Sequence, residues 1–68
     1  MIKKYELYSG YGSKARFLAS TDAETWQAAR AIFARNHAGA GYCTMYEHKP
    51  SKFGGFRSDR KEYNLRLR

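Results

Sequence analysis

Residues 21–39 constrain this chain more than any other stretch, because their periodicity describes a helix with one apolar stripe and no second one. At about 100° per residue, Thr25, Trp26, Ala29, Ile32 and Phe33 converge on one side, while Glu24, Gln27, Ala31, Ala34 and Arg35 fall opposite. Thr21-Asp22-Ala23-Glu24 has the form of a capping box, in which the Thr21 hydroxyl accepts from the Glu24 amide and the Glu24 carboxylate reaches back to the Thr21 amide. Arg35 and His37 fall in the last turn, where cations oppose the negative end of the helix dipole. Gly39 then supplies a left-handed residue to stop the helix. A helix with a single stripe buries it against one face of a sheet, so the expected architecture is α+β in two layers.

The flanking segments supply that sheet. Residues 3–8 alternate, with Tyr5 and Leu7 on one side and Lys4, Glu6 and Tyr8 on the other. Residues 9–13, Ser-Gly-Tyr-Gly-Ser, read as a turn rather than a phosphate loop, since a nucleotide loop leads into a helix and this one leads into another strand. Residues 14–20 form that second strand, with Ala15, Phe17 and Ala19 expected inward and Lys14, Arg16 and Leu18 outward. Beyond the helix, residues 42–49 place Cys43 and Met45 on one face and Tyr42, Thr44, Tyr46 and His48 on the other. Pro50 breaks this strand, and residues 58–61 read as a turn. Residues 62–68 have the cleanest alternation, with Tyr63, Leu65 and Leu67 opposite Glu62, Asn64, Arg66 and Arg68. The expectation is a single domain of order ββαββ: an antiparallel sheet of four strands, or five if residues 53–57 pair, packed on one helix. Trp26, Ala29, Ile32 and Phe33 then face Tyr5, Leu7, Phe17, Met45 and Leu65 across the core.

At 68 residues the chain is near the size where one core becomes marginal, which makes a homodimer as plausible an expectation as a monomer. Its single Cys43 excludes an intramolecular disulfide and fits a cytoplasmic setting. The N-terminal residues, charged from Lys3 onward, carry no apolar run suited to a signal peptide or a membrane span. Thirteen Lys and Arg against six Asp and Glu leave a net charge of +7, which favours acidic partners and nucleic acid above all.

That charge is interleaved with aromatics. Tyr8, Tyr11, Tyr42, Tyr46, Phe53 and Phe56 alternate along the chain with Lys4, Lys14, Arg16, Lys49, Lys52, Arg57, Arg60, Lys61, Arg66 and Arg68. Rings beside cations are what single-strand binders use: the ring stacks a base and the cation neutralises a phosphate. The competing reading is that the tyrosines pair across strands to stabilise the sheet. Residues 49–57 concentrate charge, glycine and two phenylalanines, and either bind a partner or fold back to finish the core. On the helix, Arg30 and Arg35 flank small alanines and would allow close docking of a protein. The candidate binding set is therefore Arg16, Arg30, Arg35, Tyr42, Tyr46, His48, Lys49, Lys52, Phe53, Phe56, Arg57, Arg60 and Arg66.

Catalytic chemistry is poorly provided for. His37 and His48 would be the acid and base of a small ribonuclease, but His37 is accounted for as a helix-terminal cation, and no third residue is placed to orient either ring. Cys43, His37 and His48 lack the paired spacing of a zinc site. No metal or cofactor is expected.

Taken in order, the hairpin ending Phe17-Leu18-Ala19-Ser20, the helix opening at Thr21-Asp22-Ala23-Glu24, the glycine exit and the strand Tyr42-Cys43-Thr44-Met45-Tyr46-Glu47 resemble small phage-encoded anti-CRISPR proteins in architecture. The resemblance implies a ββαββ inhibitor, present in the host cytoplasm, that binds a defence ribonucleoprotein complex and blocks its target nucleic acid. Three functional expectations follow: a non-enzymatic module binding RNA or single-stranded DNA, an inhibitor of a ribonucleoprotein or other acidic protein partner, and, third, a small ribonuclease toxin.

Overall fold

The computed structural model describes residues 2–48 and 60–67. Its elements are β1 (Lys3–Ser9), β2 (Arg16–Ala23), α1 (Trp26–Asn36), β3 (Gly41–His48) and β4 (Arg60–Leu67), with a 3-10 turn at Gly12–Lys14 inside the first hairpin. One helix packs on a four-stranded antiparallel sheet of order β2-β1-β3-β4, the expected ββαββ arrangement in two layers. The optional fifth strand at 53–57 lies outside the described residues. Among the described residues no helix is long and apolar enough to cross a membrane.

Strand parity sorts the side chains. Register sets Leu7 opposite Met45 and Met45 opposite Tyr63, so Tyr5, Leu7, Cys43, Met45, Leu65 and Leu67 share the face beneath the helix, and all six are buried there. Ala29 and Phe33 close this layer from α1, with Trp26 half-buried and its ring stacked 5.2 Å from that of Tyr63. Glu47 follows the same parity into the layer and is 3% exposed. Its carboxylate accepts from the Tyr5 hydroxyl at 2.6 Å and has the Lys3 ammonium at 3.8 Å. A charge so far from water requires such partners. Loss of water around the Tyr5 phenol, together with the Glu47 carboxylate it bonds, pushes its pKa well above the usual tyrosine range. Burial likewise raises the free thiol of Cys43.

Three sequence expectations need correction. The capping box at Thr21 does not form. Thr21, Asp22 and Ala23 instead extend β2, pairing with Tyr5, Lys4 and Lys3, and the N-cap is Thr25, whose hydroxyl accepts from the Ala28 amide at 3.1 Å. Strand pairing satisfies these backbone groups and buries Ala23, which a local cap at Thr21 would not achieve. At its other end α1 stops on His37, whose amide donates to Phe33 O, and Gly39 takes its left-handed conformation (φ +87°) in the turn beyond.

Phe17 is the second correction. Leu7 pairs with Ala19 but Tyr8 pairs with Phe17, so Leu18 is an extra residue in β2 and the alternation slips by one. Ala19 keeps its place beneath the helix while Phe17, 55% exposed, lies beside Tyr8 on the opposite face. The same slip sets Arg16 opposite Ser9 rather than on the side of Tyr8. At the start of β4, Arg60 and Lys61 belong to the strand rather than to a turn, because they pair with His48 and Glu47.

Candidate nucleic-acid interface

The face turned away from α1 carries the aromatics. Phe17 on β2 meets Tyr8 on β1 edge-to-face at 5.6 Å, Tyr8 meets Tyr46 on β3 at 5.4 Å, and the Arg60 guanidinium on β4 lies 4.4 Å from the centre of the Tyr46 ring. One row of contacts thus crosses all four strands. A second, shorter row joins Tyr11 to Tyr42 at 5.6 Å and Tyr42 to Arg66 at 5.3 Å. Each edge-to-face pair contributes about 0.5–1.5 kcal/mol beyond its buried area, so these rows help hold the face together.

The first hairpin closes one end of the face. Gly10 adopts φ +83°, a conformation that favours glycine, donates its amide to Tyr42 O at 2.8 Å and accepts the Thr44 hydroxyl at 2.9 Å. Tyr11 then reaches past β3 to donate its hydroxyl to the Leu65 carbonyl on β4 at 3.0 Å. Thr44 is consequently 1% exposed although its parity places it on the open side. Tyr42 remains 58% exposed beside this cover.

Charge on the face is paired more than the composition implies. His48 forms an ion pair with Glu6 when its imidazole is protonated. The Tyr46 hydroxyl donates to Glu62 at 3.2 Å; removal of the phenol from water and the adjacent Glu62 raise its pKa, with Arg60 opposing. Lys4 faces Asp22 across β1 and β2. Around the rings, Lys4, Arg60 and Arg66 stand against Glu6, Asp22 and Glu62, so the described part of the face is close to charge balance.

The candidate residues divide accordingly. Tyr42, Tyr46, His48, Arg60 and Arg66 come together on the open face. Arg16 is exposed at the start of β2. Arg30 and Arg35 are exposed on α1, on the other side of the sheet, where Arg30 and Arg66 line one groove between the helix and β4 with Ala34 and Leu67. Lys49, Lys52, Phe53, Phe56 and Arg57 lie outside the described residues. Tyr8 and Phe17 join the face although neither they nor Tyr11 belong to the candidate set. For Tyr8 the parity of β1 was the available signal; for Phe17 the bulge concealed it. His37 caps the end of α1 just before β3 begins at Gly41, while His48 ends β3 about 23 Å of strand rise beyond Gly41, so the two do not form an acid–base pair. Cys43 faces the core and His48 the open side, and among the described residues no cluster of His, Cys, Asp and Glu is arranged to hold a metal.

These features define a small α+β protein with one face of its sheet covered by the helix and the other built of rings and paired charges. Comparison with protein-family models, with curated proteins and with solved structures gave no match.

Proposed function

We propose that this protein is a non-enzymatic binding module that takes single-stranded nucleic acid across the open face of its sheet. The observation that carries the reading is the aromatic row from Phe17 through Tyr8 and Tyr46 to Arg60, with the exposed Tyr42 and Arg66 beside it. Phe17 and Tyr42 offer ring faces to bases, and Lys4, Arg60 and Arg66 offer charge to phosphates. Base–ring stacking of this kind is worth about 1–3 kcal/mol per base and tolerates any sequence.

The test is fluorescence anisotropy with labelled oligo-uridine and oligo-thymidine over a salt series. Three phosphate contacts predict a slope of log affinity against log salt of roughly −2. Tyr42→Ala is expected to weaken binding ~5–150-fold, the equivalent of one stacked base. Absence of binding at low salt, or equal affinity of Tyr42→Ala and wild type, refutes the proposal.

The near balance of charge on the described face favours a second reading, in which the partner is a protein or ribonucleoprotein surface as the architectural resemblance implies. In that case free oligonucleotide binds poorly, and affinity capture recovers the same partner with and without nuclease treatment.

A further inference from the structure

The two edges of the sheet are not equivalent. β2 is interrupted by the Leu18 bulge, a device that blunts an edge against further pairing. β4 pairs with β3 over its whole length, from Arg60 opposite His48 to Leu67 opposite Gly41, with no bulge, proline or glycine, and among the described residues its other side is the edge of the sheet. The direction of its backbone groups follows from the hydrogen bonds. Gly10 donates to Tyr42 O across the β1 side, so the even-numbered residues of β3 turn their amides and carbonyls to β1 and the odd-numbered ones to β4. Cys43 opposes Leu65, so Tyr63 and Leu65 bond to β3 while the groups of Arg60, Glu62, Asn64 and Arg66 point to the free edge.

We infer that β4 is a homodimerisation edge: two copies pair their β4 strands antiparallel about a two-fold axis at Asn64, giving one continuous eight-stranded sheet. The side chains choose the register. With Asn64 opposite its own copy, Glu62 faces Arg66 of the partner subunit on the open side, twice by symmetry, and Tyr63 faces Leu65 of the partner subunit beneath the helices. Centring on Tyr63 instead sets Arg60 against Arg66, and centring on Glu62 sets that carboxylate against itself. Registers that pair an even with an odd residue turn the backbone groups away from one another. Among the described residues neither Glu62 nor Arg66 forms an ion pair within its own chain: Glu62 accepts the Tyr46 hydroxyl and Arg66 lies over the Tyr42 ring, contacts that leave each charge without an opposite one. The Asn64 register engages about six backbone hydrogen bonds. It also adds buried area to a chain of 68 residues, a size at which association commonly supplements the core. This inference does not depend on what the open face binds.

The decisive experiment is sedimentation equilibrium on the full chain and three charge variants, each checked for folding by circular dichroism. Wild type is expected to be dimeric at micromolar concentration. Glu62→Arg alone and Arg66→Glu alone each place like charges opposite, twice per dimer, and weaken association roughly tenfold or more. The double variant Glu62→Arg/Arg66→Glu restores the pairing with reversed polarity and recovers wild-type association. A wild type that stays monomeric at millimolar concentration, leaving the edge to an extended segment of another protein, overturns the inference. So does a dimer indifferent to the single reversals, or a double variant no tighter than the singles. Asn64→Cys gives an independent measurement. Cα atoms of a hydrogen-bonded antiparallel pair are about 5.5 Å apart, within disulfide range. Mild oxidation therefore crosslinks Asn64→Cys into a covalent dimer faster than Arg60→Cys, with Cys43 buried and out of the reaction; equal crosslinking at both positions refutes the register.

Discussion

Phe17→Ala separates the two places this ring could occupy. On the open face Phe17 is 55% exposed and touches Tyr8 edge-to-face at 5.6 Å. Full burial of a phenylalanine is worth about 1.5–3 kcal/mol, so less than half of that, roughly 1 kcal/mol, is lost with the ring. The edge-to-face contact adds about 0.5–1.5 kcal/mol. Truncation should therefore cost about 1.5–2.5 kcal/mol, whereas removing a phenylalanine from a packed core costs about 3–5 kcal/mol. For a domain of this size the total stability is on the order of 3–10 kcal/mol, so the two outcomes differ visibly. Urea unfolding followed by the fluorescence of Trp26, which stacks on Tyr63 in the core layer, is a suitable assay. With a urea dependence of about 1 kcal/mol per molar, the midpoint should fall by about 1.5–2.5 M. A loss above ~3 kcal/mol would place the ring in the core and refute the β2 slip. The same variant tests the proposed function, because a stacking platform loses ~5–150-fold in oligonucleotide affinity while a purely structural ring leaves the affinity of the folded protein unchanged.

Tyr5→Phe removes the hydroxyl that donates to buried Glu47 and should cost about 1.5–3 kcal/mol by denaturant titration at neutral pH. Because the phenol of folded Tyr5 is raised above its unfolded value of about 10, its contribution is complete below that pH and disappears as pH rises through the folded pKa. Wild type should thus lose stability faster than Tyr5→Phe above about pH 10; parallel curves would contradict the assignment. Thr25→Ala should destabilise by about 0.5–2 kcal/mol through loss of the N-cap. Glu24→Ala, at the far end of the capping box that does not form, should stay within about 0.5 kcal/mol of wild type by the same measurement.

What the sequence disclosed depended on whether local pattern and tertiary pairing agreed. In β1, β3 and β4 unbroken alternation assigned Tyr5, Leu7, Cys43, Met45, Leu65 and Leu67 to the covered face correctly. In β2 the pattern was equally regular but misleading, since one extra residue at Leu18 leaves no mark on parity when both neighbours are apolar. At the helix start the local pattern puts the cap at Thr21 and Thr25 on the apolar stripe, whereas Thr25 is the N-cap. The choice of Thr25 over Thr21 was made by β1, whose residues Lys3 to Tyr5 claim Ala23 to Thr21 as strand partners. The Tyr8–Tyr46 contact was hidden for a different reason: it requires β1 and β3 to be neighbours, and strand order is a property of the whole fold. The Tyr5–Glu47 bond, bridging the same two strands across 42 residues, was hidden in the same way.

Among the described residues one helix covers one face of this sheet and the other face is held by side chains of its own strands, and that determines how stability and binding divide. Tyr8 has a ring on either side, and Tyr46 lies between Tyr8 and Arg60. These central positions stabilise the face and present little free ring surface, while Phe17 and Tyr42 at its margins are accessible with less effect on the fold. The two proposals meet at Arg66. In the monomer its guanidinium rests on Tyr42 and faces solvent, available to a phosphate. In the dimer it lies opposite Glu62 of the partner subunit, which leaves Lys4 and Arg60 as the cations of the described face. At about 0.7 per phosphate contact, the salt slope should then shrink from roughly −2 toward −1.4 as protein concentration passes through the dimerisation range. A slope independent of concentration across that range would mean that Arg66 serves only one of the two roles.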